Sequence, residues 1–109
     1  MKIIEEHRTP DGLYRFIVER SDDGDLSLGF DGFPSHTHGD LLASLSGHPI
    51  DAAIREHIDA LLNGRSFIGI ARVASKILDV WVTDDPHPDK YQPEDETIEF
   101  RYWDGRPAG

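Results

Sequence analysis

The chain has no cysteine, one methionine and no long apolar run. The lack of cysteine excludes a disulfide framework, thiolate metal sites and a cysteine nucleophile, and it is compatible with a reducing compartment. No apolar segment approaches the roughly 18 residues that a membrane-spanning helix needs. The N-terminus becomes acidic at Glu5 and lacks the apolar stretch of a signal peptide. These absences predict a cytoplasmic protein.

Positive charge is also scarce, and this restricts the partners to be expected. The chain has 11 basic and 21 acidic side chains, which gives a net charge of −10. Nucleic acids and anionic membranes are bound by clusters of lysine and arginine, whereas the basic residues here are scattered. We therefore expect neither nucleic acid nor a membrane as a direct partner. A basic protein suits the charge better.

The length of 109 residues is that of one domain, residues 1–109. Residues 2–8, 13–20 and 26–30 have the character of strands and are separated by two turn sequences that contain Asp-Gly, which predicts a three-stranded meander. A short helix that ends near Gly47 follows. A longer helix runs from Pro49 to Asn63, with apolar residues at helical spacing.

Residues 67–73 and 77–83 are rich in β-branched and aromatic side chains and predict a hairpin. Val73, Ile77, Val80 and Trp81 also fit helical spacing, so a partly helical segment is the alternative. A last strand is expected over residues 97–103. The order of elements predicts an α+β fold, with one antiparallel sheet of five or six strands and one long and one short helix on one face.

The sequence His36-Thr37-His38-Gly39-Asp40 is the densest cluster of groups that bind metals or move protons. In an extended segment His36 and His38 project to the same side, and Asp40 or the later His48 would complete a zinc site able to activate water. Alternatively, Thr37 and Asp40 have the spacing of a capping box that starts a helix. A metal-free catalytic or pH-sensing role is a third possibility.

A second candidate is the acidic, proline-containing loop over residues 84–97, which would present a negative surface to a basic partner. Two tryptophans lie on predicted strand faces that also carry charged residues, as expected of a binding surface unless the helices cover that face. The candidate binding residues are Asp84, Asp85, Glu94, Asp95, Glu96, Trp81 and Trp103.

The leading hypothesis is a non-enzymatic protein-binding domain, inhibitor- or immunity-like, that has no cofactor and uses the acidic loop and an aromatic sheet face. The second hypothesis is a zinc-binding protein or a small metal-dependent hydrolase centred on His36, His38 and Asp40. A homodimer formed through an unpaired sheet edge is also possible.

Overall fold

The computed structural model describes residues 1–87 and 95–108. Within them, the first half forms strands β1 (Lys2–Arg8), β2 (Arg15–Arg20), β3 (Leu26–Phe30) and β4 (His36–His38), followed by helix α1 (Gly39–Ser46). Helix α2 (Ile50–Leu62) leads into strands β5 (Phe67–Val73), β6 (Lys76–Thr83), β7 (Glu96–Arg101) and β8 (Pro107–Ala108). The chain is therefore α+β, as predicted.

The first sheet is an antiparallel meander in the order β1-β2-β3-β4. Its β2–β3 turn closes with a hydrogen bond from the backbone N–H of Ser21 to the carbonyl oxygen of Asp25, at 2.9 Å. Gly24 supplies the positive φ of 89° in this turn, a conformation that is open to glycine at no steric cost. The predicted meander of three strands is confirmed, and the short β4 extends it by one strand.

The second sheet has the order β6-β5-β7-β8, with antiparallel pairing throughout. β5 and β6 form the predicted hairpin, so the helical alternative for residues 67–83 is wrong. The turn between them is formed by Ala74 and Ser75, and Ala74 has a φ of 56°. β6 and β7 flank β5 and both run antiparallel to it, so β6 ends beside the start of β5 and β7 begins beside its end.

The prediction of a single sheet of five or six strands is wrong, because the described strands form two sheets of four. The backbone ladder is interrupted between β4 and β6. A side-chain contact joins the two sheets there: the Asp79 carboxylate of β6 accepts hydrogen bonds from Ser35, which precedes β4. The number of strands could not reveal this division, since it depends on packing between distant parts of the chain such as Asp79 and Ser35.

Helix α2 packs against both sheets and completes the core. Its apolar stripe contributes Ile54, Ile58 and Leu61, which are buried among side chains of β2, β3, β5 and β6. Burying a residue such as Ile58, which is fully inaccessible, stabilises the fold by roughly 1.5–3 kcal/mol. The faces of the sheets that meet α2 are called the inner faces below, and the opposite faces are called the outer faces.

The predicted capping box at Thr37 and Asp40 is wrong. Thr37 lies in β4 opposite Leu28, so its backbone belongs to the sheet ladder. The residue that precedes the first turn of α1 is His38, whose side chain makes no capping hydrogen bond. At its other end α1 stops at Gly47, with a φ of 75°, as the sequence predicts.

The outer edge of β1 has no strand partner among the described residues, because β1 pairs only with β2. This strand carries charged residues at Lys2, Glu5, Glu6 and Arg8, and its register shifts between Ile3 and Glu5. Charges and bulges of this kind protect exposed sheet edges from pairing with another chain. The homodimer hypothesis stays a prediction. None of the described helices is long and apolar enough to cross a membrane.

Candidate functional site

The outer face of the second sheet is built around Gly69. In the register of the sheet Gly69 lies between Trp81 of β6 and Phe100 of β7. Its neighbours along β5, Ile68 and Ile70, are buried in the core with the residues of α2. Because successive side chains of a strand point to opposite faces, Trp81 and Phe100 lie on the face opposite to Ile68 and Ile70, where Phe100 is buried and Trp81 is half-buried.

Trp81 lies directly over the backbone of Gly69. A Cβ built at residue 69 would be 2.6 Å from Cζ2 and 2.7 Å from Nε1 of the indole, distances that real contacts do not show. The indole also makes an edge-to-face contact with Phe100, with ring centroids 6.5 Å apart. Phe67 and Tyr102 form a second such pair at 5.3 Å in the adjacent position along the sheet. These four residues are called the aromatic face.

Trp81 is half-buried. Asp84 and Asp85 follow the end of β6 and are both exposed. The Asp85 carboxylate is 2.6 Å from Nδ1 of His87, and the Asp84 carboxylate has no hydrogen bond within the described ranges 1–87 and 95–108. Of the predicted binding residues, Asp84, Asp85 and Trp81 are the ones that lie together, at the end of β6.

The remaining acids of the set lie elsewhere. β6 ends at Thr83, which pairs with Phe67 at the start of β5, whereas Glu96 pairs with Val73 at the end of β5. Asp95 and Glu96 are therefore at the opposite end of the sheet, roughly 20 Å away at the usual rise of a strand. Glu94 lies outside the described residues. The predicted acidic loop thus starts and finishes at two separate places.

Trp103 does not join Trp81. It lies in a turn after β7 and packs against the hydrophobic core. Glu99 and Arg101, with which the sequence predicts a shared face, pair opposite Ile70 and Ile68 and so lie on the inner face. The sequence left open that the helices cover the face that carries the tryptophans. This alternative applies to Trp103, which is therefore not part of the candidate surface.

His36 and His38 project to the same side of β4, as the spacing predicts. Their rings are in edge-to-face contact, with centroids 5.0 Å apart. Nδ1 of His36 is 2.9 Å from the carbonyl oxygen of Pro34, and Nδ1 of His38 is 2.9 Å from Oδ2 of Asp25. Asp25 is close because Ser27 of β3 pairs with His38, which places the end of the β2–β3 turn beside that ring.

Asp40 is exposed, and its carboxylate accepts a hydrogen bond from the backbone N–H of Leu41 at 2.8 Å. It sits in the first turn of α1, where a carboxylate interacts well with the helix dipole. Within residues 1–87 and 95–108, no three side chains of the metal-ligating types come together. The structure thus brings two of the three proposed ligands together.

The two candidate regions meet at the junction of the sheets. A cavity of ≈ 110 Å³ lies there, and Phe16, Ser35, His36, His57 and Trp81 are among the residues that line it. His57, on α2, is half-buried beside the ring of Phe16, with centroids 6.1 Å apart. Burial lowers the pKa of His57, because the charged imidazolium is poorly solvated there.

Four residues of this region were not predicted from the sequence. Asp79 and Ser35 are 44 positions apart, and no local pattern links them. Asp25 belongs to a turn whose residues have an evident role in the hairpin. Gly69 carries a signal of its own, since a glycine inside a strand often marks a close approach of another group.

Comparisons of the chain with protein-family models, with curated proteins and with solved structures found no match.

Proposed function

We propose that the chain is a non-enzymatic protein-binding domain that takes a basic partner on the outer face of the second sheet. Trp81 is the apolar anchor of this surface, and Asp84 and Asp85 supply the adjacent negative charge. The observation that carries the proposal is the position of the Trp81 indole over Gly69. A β-carbon at residue 69 would exclude the indole from this position.

The chemistry of this surface suits arginine and lysine side chains. Tryptophan is the aromatic ring that attracts a cation most strongly, and it is prominent in interaction hot spots. Two exposed carboxylates beyond the end of β6 add an electrostatic attraction that speeds docking. The net charge of −10 extends this attraction over the molecule.

The opposite end of the aromatic face is less open to a cationic partner. The guanidinium carbon of Arg106 lies over the ring of Tyr102, 4.8 Å from its centroid. The chain thus fills this aromatic site with its own cation, and no such cation lies over Trp81 among the described residues. The β6 side of the face is therefore the side that we assign to the partner.

The alternative is that Trp81 serves stability alone, since aromatic side chains often cover glycines in sheets. The two roles are separated by a capture experiment with tag-immobilised protein in a lysate of the source organism. The face variant is Trp81→Ala/Asp84→Asn/Asp85→Asn, and we expect it to lose a basic protein that the unmodified chain retains. Circular dichroism establishes that the variant is folded.

The matched control is Asp22→Asn/Glu56→Gln, which removes two negative charges from exposed positions in the β2–β3 turn and on α2. We expect it to retain the partner nearly as well as the unmodified chain. Absence of any basic protein in the eluate, or equal capture by the face variant, would contradict the proposal.

A metal-dependent hydrolase centred on His36, His38 and Asp40 is the weaker candidate, because the Asp40 carboxylate binds the backbone of its own helix. The Asp25 carboxylate, which neighbours the pair, is hydrogen-bonded to Nδ1 of His38.

A further inference from the structure

The pair formed by His36 and His38 has a geometry that the protein-binding role does not explain. β4 approaches β3 closely at this point, because Gly29 stands opposite His36. A Cβ at residue 29 would be 2.8 Å from the carbonyl oxygen of Ser35 and 3.1 Å from Cβ of His36. Gly29 is thus the residue that lets the histidine strand pair in this register.

Each of the two rings is held by one nitrogen. The Pro34 carbonyl and the Asp25 carboxylate are acceptors, so Nδ1 of His36 and Nδ1 of His38 must be the donors. A neutral imidazole has a single N–H, and therefore Nε2 of both residues carries a free lone pair. Histidines that bind metals use this arrangement, in which a carbonyl or carboxylate holds the far nitrogen.

The spacing of the rings also suits one shared ion. Zn²⁺ binds an imidazole nitrogen at about 2.0–2.1 Å, so two imidazoles on one tetrahedral ion have centroids roughly 5 Å apart. The observed separation of the centroids of His36 and His38 is 5.0 Å. The planes of the two rings are 78° apart, in an edge-to-face contact that the side chains would leave as both Nε2 atoms turn toward one ion.

We propose that His36 and His38 form a two-imidazole chelate for Zn²⁺ or Cu²⁺, with Asp25 and the Pro34 carbonyl orienting the rings. No third ligand side chain joins them within residues 1–87 and 95–108. The chelate therefore leaves coordination positions for water or for a ligand from another molecule. The preference of this chelate among metal ions follows from its nitrogen donors, which bind Cu²⁺ more tightly than Zn²⁺ and bind Mg²⁺ poorly. This site does not depend on the proposed function.

The experiment is isothermal titration calorimetry of protein without a histidine tag, with Zn²⁺, Cu²⁺ and Mg²⁺ as separate probes. We expect one equivalent of Zn²⁺ to bind, Cu²⁺ to bind more tightly, and Mg²⁺ to give no signal. His36→Ala and His38→Ala should each lower the affinity for Zn²⁺ at least ten-fold. Asp25→Asn should lower it by roughly 10–100-fold, as loss of an orienting group usually does.

His48→Ala is the matched control, because His48 is exposed and lies outside the pair. The ring-proton resonances of His36 and His38 should shift on addition of Zn²⁺ in the control and in the unmodified chain. The proposal is overturned if Zn²⁺ does not bind, if it binds equally to both alanine variants, or if His48→Ala reduces binding as much as they do.

Discussion

The indole of Trp81 occupies the space above Gly69 that any larger residue at position 69 would need, with Cζ2 2.6 Å from the site of a Cβ. This relationship makes the two positions interdependent. Gly69→Ala should displace the indole and destabilise the protein by roughly 1–3 kcal/mol, the usual cost of overpacking. Thermal unfolding and the near-ultraviolet circular dichroism of the tryptophans measure the two effects.

The matched background for this substitution is Trp81→Ala. There the added methyl group meets no indole, so the cost of Gly69→Ala should be much smaller than in the unmodified chain. Equal costs in the two backgrounds would show that the ring does not occupy the position over Gly69.

The contact between Asp79 and Ser35 joins the two sheets. The Asp79 carboxylate accepts hydrogen bonds from the backbone N–H of Ser35 at 3.1 Å and from its hydroxyl group. Asp79→Ala should lower the free energy of unfolding by about 1–3 kcal/mol, because it leaves a half-buried N–H without its acceptor. Ser35→Ala removes only the hydroxyl bond and should cost about 1 kcal/mol.

Chemical denaturation of both single variants and of the double variant gives the coupling between Asp79 and Ser35. Residues in direct contact couple by about 0.5 kcal/mol or more. Additive losses would mean that the carboxylate and the hydroxyl group act independently.

His57 gives the stability a dependence on pH. Burial holds its pKa below the ordinary value, so below about pH 6.5 the unfolded chain binds a proton more readily than the folded chain. The contribution of His57 to stability is therefore lost as the pH falls from that value through its lower pKa in the folded state.

Denaturation between pH 7.5 and pH 5 should show this loss in the unmodified chain, and His57→Gln should reduce it. His48→Gln, at an exposed position, should leave it unchanged. The lowered pKa of Glu5, held mainly by its hydrogen bond with His7, acts in a more acidic range, since its contribution is lost only below about pH 4.5. A slope that persists in His57→Gln would assign the effect to other groups.

The stability of the turn between β5 and β6 can be increased by a substitution at Ala74. Ala74 has a φ of 56°, a conformation that costs an alanine roughly 1–2 kcal/mol and a glycine almost nothing. Ala74→Gly should therefore raise the melting temperature by a few degrees, although the greater freedom of glycine in the unfolded chain offsets part of the gain. An unchanged or lower melting temperature would contradict the strain assigned to Ala74.

Local patterns predicted most of the elements because each depends on neighbouring residues. The alternation of β2 and β3 and the apolar stripe of α2 specify their own buried faces, and Gly24 and Gly47 mark where the chain turns. The division into two sheets could not be predicted, because it depends on packing between distant parts such as Asp79 and Ser35.

The candidate site was predictable to a similar degree. The two-residue period of a strand correctly placed His36 and His38 on one side. The partner of His38 is Asp25 rather than Asp40, because strand pairing brings Asp25 to the ring while the helix carries Asp40 away from it. The alternation of side chains along a strand predicted which neighbours share a face with Trp81 and with Trp103. It could not predict which of the two faces α2 covers.

The indole N–H resonances of Trp81 and Trp103 in a ¹H–¹⁵N spectrum test the binding surface most directly, because the chain has only these two tryptophans. The titrant is the basic partner retained by the unmodified chain. Binding on the aromatic face predicts a shift of the Trp81 resonance, no shift of the Trp103 resonance, and weaker binding by Asp84→Asn/Asp85→Asn. An unchanged Trp81 resonance in the saturated complex would contradict it.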